Sequence, residues 1–89
     1  MKKEQFEELW RNSDLPERVQ SRIVGEINLL MYCDSPKDLD ADSLAVLRLL
    51  LDIRYLGIIS PREYDDLYRF TKETAAVRLH QLDGTEEEL

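Results

Sequence analysis

Three aspartates at alternate positions, Asp38, Asp40 and Asp42, are the residues of this chain whose spacing could bind a cation. A calcium-binding loop begins with this alternation, because carboxylates at alternate positions of a turn can converge on one ion. The rest of that motif is missing, since Ser43 stands where the turn needs glycine and Leu49 stands where a glutamate should close the site. The sequence therefore favours a different role, in which Asp40 or Asp42 caps the following helix, and we predict no metal site.

The only cysteine and the only histidine also lack the neighbours that chemistry would need. Cys33 is followed by Asp34, whose charge opposes the lowered pKa of a catalytic cysteine. His80 falls on the outward face of a predicted helix and has no second ligand at metal spacing. Acidic pairs such as Glu7-Glu8 and Asp65-Asp66 fall on outward faces, which is typical of solubilising charge rather than of acid–base catalysis. We predict no catalytic residue, no cofactor and no small-molecule ligand, and therefore a protein that is not an enzyme.

The charge and composition of the chain indicate which classes of partner and which cellular compartment to expect. Its 89 residues carry 19 acidic and 12 basic side chains, a net charge of −7. Binding to a nucleic-acid backbone needs a surface rich in lysine and arginine, so we expect no nucleic-acid partner. The N-terminus lacks the apolar core of a signal peptide, and no segment approaches the ~20 apolar residues of a membrane span. With a lone cysteine typical of a reducing compartment, we predict a cytoplasmic protein that does not bind membranes.

Hydrophobic spacing predicts an all-α protein, a small four-helix bundle in a single domain over residues 1–85, with 86–89 as a frayed acidic tail. At the start of the second helix, Asp14 and Glu17 have the spacing of a capping box. Between the second and third helices, a proline and four aspartates predict the only real loop, over 34–42. The four helices are expected at about residues 2–12, 14–33, 42–56 and 61–82.

The connection between the third and fourth helices has the strongest local signals in the chain. Gly57 can adopt the left-handed conformation that closes a helix C-terminus. Ser60 and Glu63 have capping-box spacing, and a proline at the first helical position lies between them. Ile59 and Tyr64 stand at the two positions of a hydrophobic staple. These signals together predict a rigid helix–turn–helix corner.

The third helix is apolar around most of its circumference, and only Arg48, Asp52 and Ala45 form a polar stripe. A helix of this kind must be surrounded by others. We therefore predict that it is buried, wrapped by the second and fourth helices, with the short N-terminal helix packed across them. A dimer partner could surround it more completely.

Two apolar residues of the fourth helix lie away from its main inner stripe. Phe70 and Val77 are one heptad apart, a spacing typical of a seam against another helix. A partner could occupy that seam, or Phe6 and Trp10 of the first helix, with Leu9, could cover it within the chain. Our candidate partner-binding residues are Phe70 and Val77, with Phe6 and Trp10.

Residues 47–72 resemble the short C-terminal helical domains called SHOCT-like. Members of that family have a leucine-bearing helix, a Gly-Ile-Ile-Ser/Thr corner, and a second helix with a glutamate and an aromatic residue. The resemblance implies a helical interaction or oligomerisation module, often in bacterial and mobile-element proteins, without enzymatic activity. This chain departs from the family at Leu67-Tyr68, where lysines are usual. The matching residues are Leu50, Ile53, Gly57, Ile58, Ile59, Ser60, Glu63 and Tyr64.

Two functional hypotheses follow. The first is a non-enzymatic protein–protein interaction or oligomerisation module, acting as a homodimer or as an adaptor for a larger protein partner. The alternative is an acidic, phage-type inhibitor that presents its negative surface to a nucleic-acid-binding protein. Raised salt separates the two, because it weakens carboxylate mimicry steeply and leaves an apolar interface largely unaffected.

Overall fold

The computed structural model describes residues 3–83, and within that range all regular secondary structure is helical and there is no strand. The predicted all-α four-helix bundle is thereby confirmed. The predicted acidic tail, 86–89, lies outside the described residues. The elements are α1 (Lys3–Leu9), α2 (Glu17–Asn28), a one-turn 3₁₀-helix (Leu29–Tyr32), α3 (Pro36–Tyr55) and α4 (Pro61–Leu82).

The prediction of a loop over 34–42 is wrong, because α3 begins at Pro36. Proline is well tolerated at the first helical position, where its missing N–H would be unsatisfied in any case. The Ser35 side chain caps the helix by accepting a hydrogen bond from the backbone N–H of Asp38, at 3.1 Å. Asp38 itself lies in the first turn, where its charge complements the helix dipole. Ser35, rather than Asp40 or Asp42, is therefore the cap.

The capping box predicted for α2 is also wrong. Pro16 occupies the N-cap position, and no side chain caps this helix. Asp14 thus lies two residues before the N-cap position instead of occupying it, and its side chain does not cap the helix. At the other end, α2 tightens into the 3₁₀-helix after Asn28. The N-terminal helix α1 is shorter than expected, since it ends at Leu9 instead of extending to about residue 12.

The corner between α3 and α4 forms as the sequence predicts. Gly57 has a φ of +76°, and the Ile58 N–H donates to the carbonyl of Ile53 at 2.8 Å, which closes the end of α3. Both hydrogen bonds of the capping box are present: the Ser60 N–H donates to Glu63 Oε1 at 2.8 Å, and the Glu63 N–H donates to Ser60 Oγ at 3.1 Å. The corner makes α3 and α4 an antiparallel hairpin, which is the frame of the molecule.

The core lies between one face of this hairpin and the layer formed by α2, the 3₁₀-helix and α1. Every helix contributes to it. Its most deeply buried side chains come from the end of α2, the 3₁₀-helix, α3 and α4, and are Ile27, Leu30, Leu50, Leu67 and Thr71. The buried apolar residues are Leu9, Ile23, Val24, Ile27, Leu30, Cys33, Leu39, Val46, Leu50, Ile59, Leu67 and Phe70.

The third helix is not buried on all sides, contrary to the prediction. Leu39, Val46 and Leu50 point into the core, whereas Leu44 and Leu51 are exposed. The physical reason is that the other helices do not provide enough length to surround α3. At 12 and 7 residues, α2 and α1 are too short to wrap a 20-residue helix, and they cover the same face of the hairpin. Helices α1 and α2 therefore leave the opposite face of the hairpin uncovered.

Candidate protein-binding face

The structure covers Phe70 within the chain, as the intramolecular alternative proposes. Phe70 is only 6% exposed, and the ring of Phe6 meets it edge-on, with centroids 6.4 Å apart and planes at 85°. Phe6 and Trp10 are half-buried against the core, whereas Val77 remains exposed. The four residues therefore do not form one exposed seam. Their binding of a partner stays a prediction, and a partner could reach Phe70 only if α1 moved away.

A shallow groove runs beside this contact, between α1, the end of α2 and α4. Leu9, Phe70 and Val77 contribute apolar surface to it. Two of its three acidic side chains are paired, since Glu8 pairs with Arg62 at 3.2 Å and with Arg11, and Asp66 pairs with Arg69. Glu73 forms no ion pair with another residue of the range 3–83. A single unpaired carboxylate at the edge of an open groove does not by itself define a ligand.

A larger apolar surface lies on the opposite side of the hairpin, where no helix of residues 3–83 covers it. On α3, Leu44, Leu51 and Tyr55 fall within about 40° of one another around the helix axis. They are 52%, 43% and 86% exposed. The buried residues Val46 and Leu50 point away from this stripe, into the core. The stripe is therefore a part of the apolar third helix that the described residues leave in water.

The fourth helix extends the same surface. Tyr68 and Leu79 fall within about 20° of one another on α4 and are 40% and 41% exposed. Tyr64 joins the two helices on this side, because its ring lies 6.0 Å from that of Tyr68 and 5.0 Å below the guanidinium of Arg54. That last contact is a cation–π interaction between α3 and α4. We call the surface formed by Leu44, Leu51, Tyr55, Tyr68 and Leu79 the open hairpin face.

Charges on and around the open hairpin face are nearly balanced, although the whole chain is strongly acidic. Neither Arg48 nor Lys72 forms an ion pair with another residue of the range 3–83. The ion pairs found in that range all involve α1, α2 or the other edge of α4. By helical position, the charged residues that flank the face are Lys37, Arg48, Arg54 and Lys72 on the basic side, and Asp40, Asp52 and Asp65 on the acidic side.

Cys33 serves a structural purpose that the sequence does not reveal. Burial raises the pKa of its thiol, and the hydrogen bond that Sγ donates to Asp42 Oδ2 at 3.2 Å, together with that carboxylate's charge, raises it further. Arg78 donates two hydrogen bonds, from Nε and Nη2, to the Cys33 carbonyl at 3.0 and 2.9 Å. The thiol is thus held protonated while its backbone ties the start of α3 to the end of α4. The two residues are 45 positions apart, so no local pattern could pair them.

The three alternating aspartates do not form a calcium loop, because all of them lie on α3. Alternate residues of a helix point in widely different directions, so only Asp38 and Asp42, four positions apart, share a side. No group of three or more histidine, cysteine or acidic side chains in residues 3–83 could hold a metal ion. Within the same range, no helix is long and apolar enough to cross a membrane.

Comparison with protein-family models, with curated proteins and with solved structures finds no match for this chain. The resemblance of residues 47–72 to SHOCT-like domains therefore stays a prediction.

Proposed function

We propose that this protein is a non-enzymatic helical protein–protein interaction or oligomerisation module, and that the open hairpin face is its interface. The observation that carries the proposal is the exposure of five large apolar side chains along one side of a two-helix hairpin. The SHOCT-like resemblance supports the same class, because residues 47–72 contain Leu51, Tyr55 and Tyr68 of this face. It also suggests a bacterial or mobile-element origin.

The size of the face supports this reading. With roughly 200 Å² for a fully exposed tyrosine and somewhat less for a leucine, the five side chains expose on the order of 500 Å². That area lies towards the upper end of the range of about 300–600 Å² for the largest apolar patch of a typical monomer, and such patches are often functional. A standard interface buries about 800 Å² on each partner, of which roughly 60% is apolar. The face therefore offers about as much apolar area as one side of a standard interface contains.

The chemistry of the face also resembles that of known interface centres. Tyrosine and arginine are enriched among the residues that dominate binding energy, and this face presents Tyr55 and Tyr68 with Arg54 at its edge. Both tyrosines lie on regular helices, so their backbone positions are already fixed before binding. Binding a partner would therefore require little additional loss of conformational entropy in this chain.

The test is affinity capture from cells of the source organism, comparing wild type with the double variant Leu51→Glu/Tyr68→Glu. The matched control is Leu29→Glu, since Leu29 is 57% exposed but lies on the 3₁₀-helix, away from the open hairpin face. A partner that is bound stoichiometrically by wild type and by the control, and lost by the double variant, is the expected result. A partner retained by the double variant would refute the assignment of this face, provided that circular dichroism shows unchanged helix content.

The acidic-inhibitor hypothesis remains a second candidate, because most acidic side chains within residues 3–83 lie outside the open hairpin face. Such an inhibitor would bind a basic groove of a nucleic-acid-binding protein through carboxylates. Salt distinguishes the two mechanisms for any captured partner. Binding through the open hairpin face should persist at high ionic strength, whereas carboxylate binding should weaken steeply above physiological salt.

A further inference from the structure

We infer that the partner of the open hairpin face is a second copy of this chain, packed on it by a two-fold axis. The inference rests on the proposed function and specifies the partner. In this arrangement α3 of one copy runs antiparallel to α3 of the other, and the two hairpins form a four-helix interface. The reasons are the spacing of the leucines, the charges along the face and the area available.

Leucine spacing makes the face self-complementary. In a two-fold interface, residue i of one copy contacts residue j of the other, and residue j contacts residue i in return. Leu44 and Leu51 are exposed and lie seven residues apart, on the same side of α3. An antiparallel register centred between residues 47 and 48 therefore places Leu44 of each copy against Leu51 of the other. In this single register, both leucines of each copy contact a leucine of the other copy.

The same register suits the polar residues of the face. It places Asp40 of one copy against Tyr55 of the other, where the tyrosine hydroxyl can donate to the carboxylate. Arg48 lies beside the two-fold axis, and Asp52 of the other copy is about one and a half turns away, within reach of an arginine side chain. A parallel arrangement would instead align each charged residue of α3 with its own equivalent. The charge pattern therefore favours the antiparallel pairing.

The charge of the whole chain points to the same surface. Two copies with a net charge of −7 each repel one another, so self-association needs a surface where the acidic excess is absent. The open hairpin face meets this condition, because its basic and acidic residues are nearly equal in number. Its roughly 500 Å² of exposed apolar side chain also matches the apolar part of one side of a standard dimer interface.

The experiment is sedimentation equilibrium of the full chain across the micromolar to millimolar range. We expect the mass to rise from one copy to two and to stop there, because a two-fold interface is closed. Leu51→Glu should weaken the dimer at least about tenfold, and Tyr55→Ala should weaken it without adding charge. Leu29→Glu, which introduces the same charge off the face, should leave the dissociation constant unchanged.

Cysteine oxidation tests the orientation. Leu44→Cys mixed with Leu51→Cys should form a disulfide-linked dimer more readily than either variant alone, because the antiparallel register brings these two positions together. Wild type should not link, since its Cys33 is buried. Preferential linking of each variant to itself would refute the antiparallel register.

The outcomes separate this inference from the function on which it rests. A protein that is monomeric at every concentration overturns the second-copy inference. If the Leu51→Glu/Tyr68→Glu variant then loses a captured partner that the Leu29→Glu control keeps, the interaction module stands with a different occupant. If the Leu51→Glu/Tyr68→Glu variant loses neither self-association nor a captured partner, both the second-copy inference and the assignment of this face as an interface are refuted.

Discussion

Because α1 buries Phe70, we expect alanine substitution at Phe70 and at Val77 to have very different effects on the free energy of unfolding. The sequence spacing alone would group these two residues of α4 as a pair. Phe70→Ala removes an almost fully buried aromatic ring from the core, and changes of this kind lower the free energy of unfolding by about 3–5 kcal/mol. Val77→Ala removes two methyl groups from a half-exposed position and should lower it by less than about 0.5 kcal/mol. If the two residues formed an exposed seam instead, both substitutions would have small effects in the isolated chain.

The loss expected for Phe70→Ala is large relative to the total free energy of unfolding. A domain of this length is stable by about 4–13 kcal/mol, so Phe70→Ala would remove a major fraction of that free energy. The Phe6→Ala substitution tests the contact itself, because edge-to-face aromatic pairs contribute about 0.5–1.5 kcal/mol beyond the area that they bury. The Phe6→Ala/Phe70→Ala double variant should therefore be more stable than the sum of the single effects predicts, by a coupling energy of that size.

Urea unfolding followed by circular dichroism measures these differences, with all variants at one low protein concentration so that self-association does not contribute. Equal denaturant dependence of the unfolding free energy across the variants would show that the folded and unfolded states are comparable. A Phe70→Ala effect below about 1 kcal/mol, or additivity with Phe6→Ala, would refute the packing of α1 on α4 described above.

Three further predictions concern local features of the chain. Gly57→Ala should lower the free energy of unfolding by about 1–2 kcal/mol, because Gly57 has a φ of +76°. Gly25→Ala should raise it by up to about 1 kcal/mol, because no atom lies near the added methyl group. The same urea assay measures both substitutions, and equal effects would contradict the left-handed turn. Ser35→Ala should lower it by about 1 kcal/mol and reduce amide protection in the first turn of α3, and unchanged protection there would place the start of the helix elsewhere. The buried environment raises the pKa of Cys33 above its usual 9.0. The thiol's contribution to stability is therefore fully present below pH 9 and is lost as the pH rises through the raised pKa. The free energy of unfolding, measured against pH, should fall over that alkaline range in wild type and fall less in Cys33→Ala.

Features set by neighbouring residues were predictable from the sequence. The α3–α4 corner and the start of α4 follow from Gly57, Ser60 and Glu63, because helix capping depends on residues only a few positions apart. The start of α3 depends on equally local signals, and the error there came from treating Pro36 as a helix breaker. At the first position of a helix, the same residue favours helix formation.

The candidate face could not be predicted in the same way. The sequence shows that α3 is apolar on nearly all sides, but whether that surface is buried depends on how many helices reach it. Leu44 and Leu51 are exposed because α1 and α2 both pack on the far side of the hairpin. Phe70 is the opposite case: its spacing separated it from the predicted inner stripe, yet it lies on the buried side of α4 with Leu67 and Thr74, and α1 covers it. Both outcomes depend on tertiary arrangement rather than on residue spacing.

The attachment of α1 has a consequence for the motions of the protein. This helix has seven residues and is joined to α4 by the Phe6–Phe70 contact and by the exposed pair between Glu8 and Arg62. Helices this short are marginal without their tertiary contacts, so detaching α1 requires far less free energy than unfolding the α3–α4 hairpin. Native-state hydrogen exchange should therefore be fastest in α1, and each detachment would briefly uncover Phe70 next to Val77.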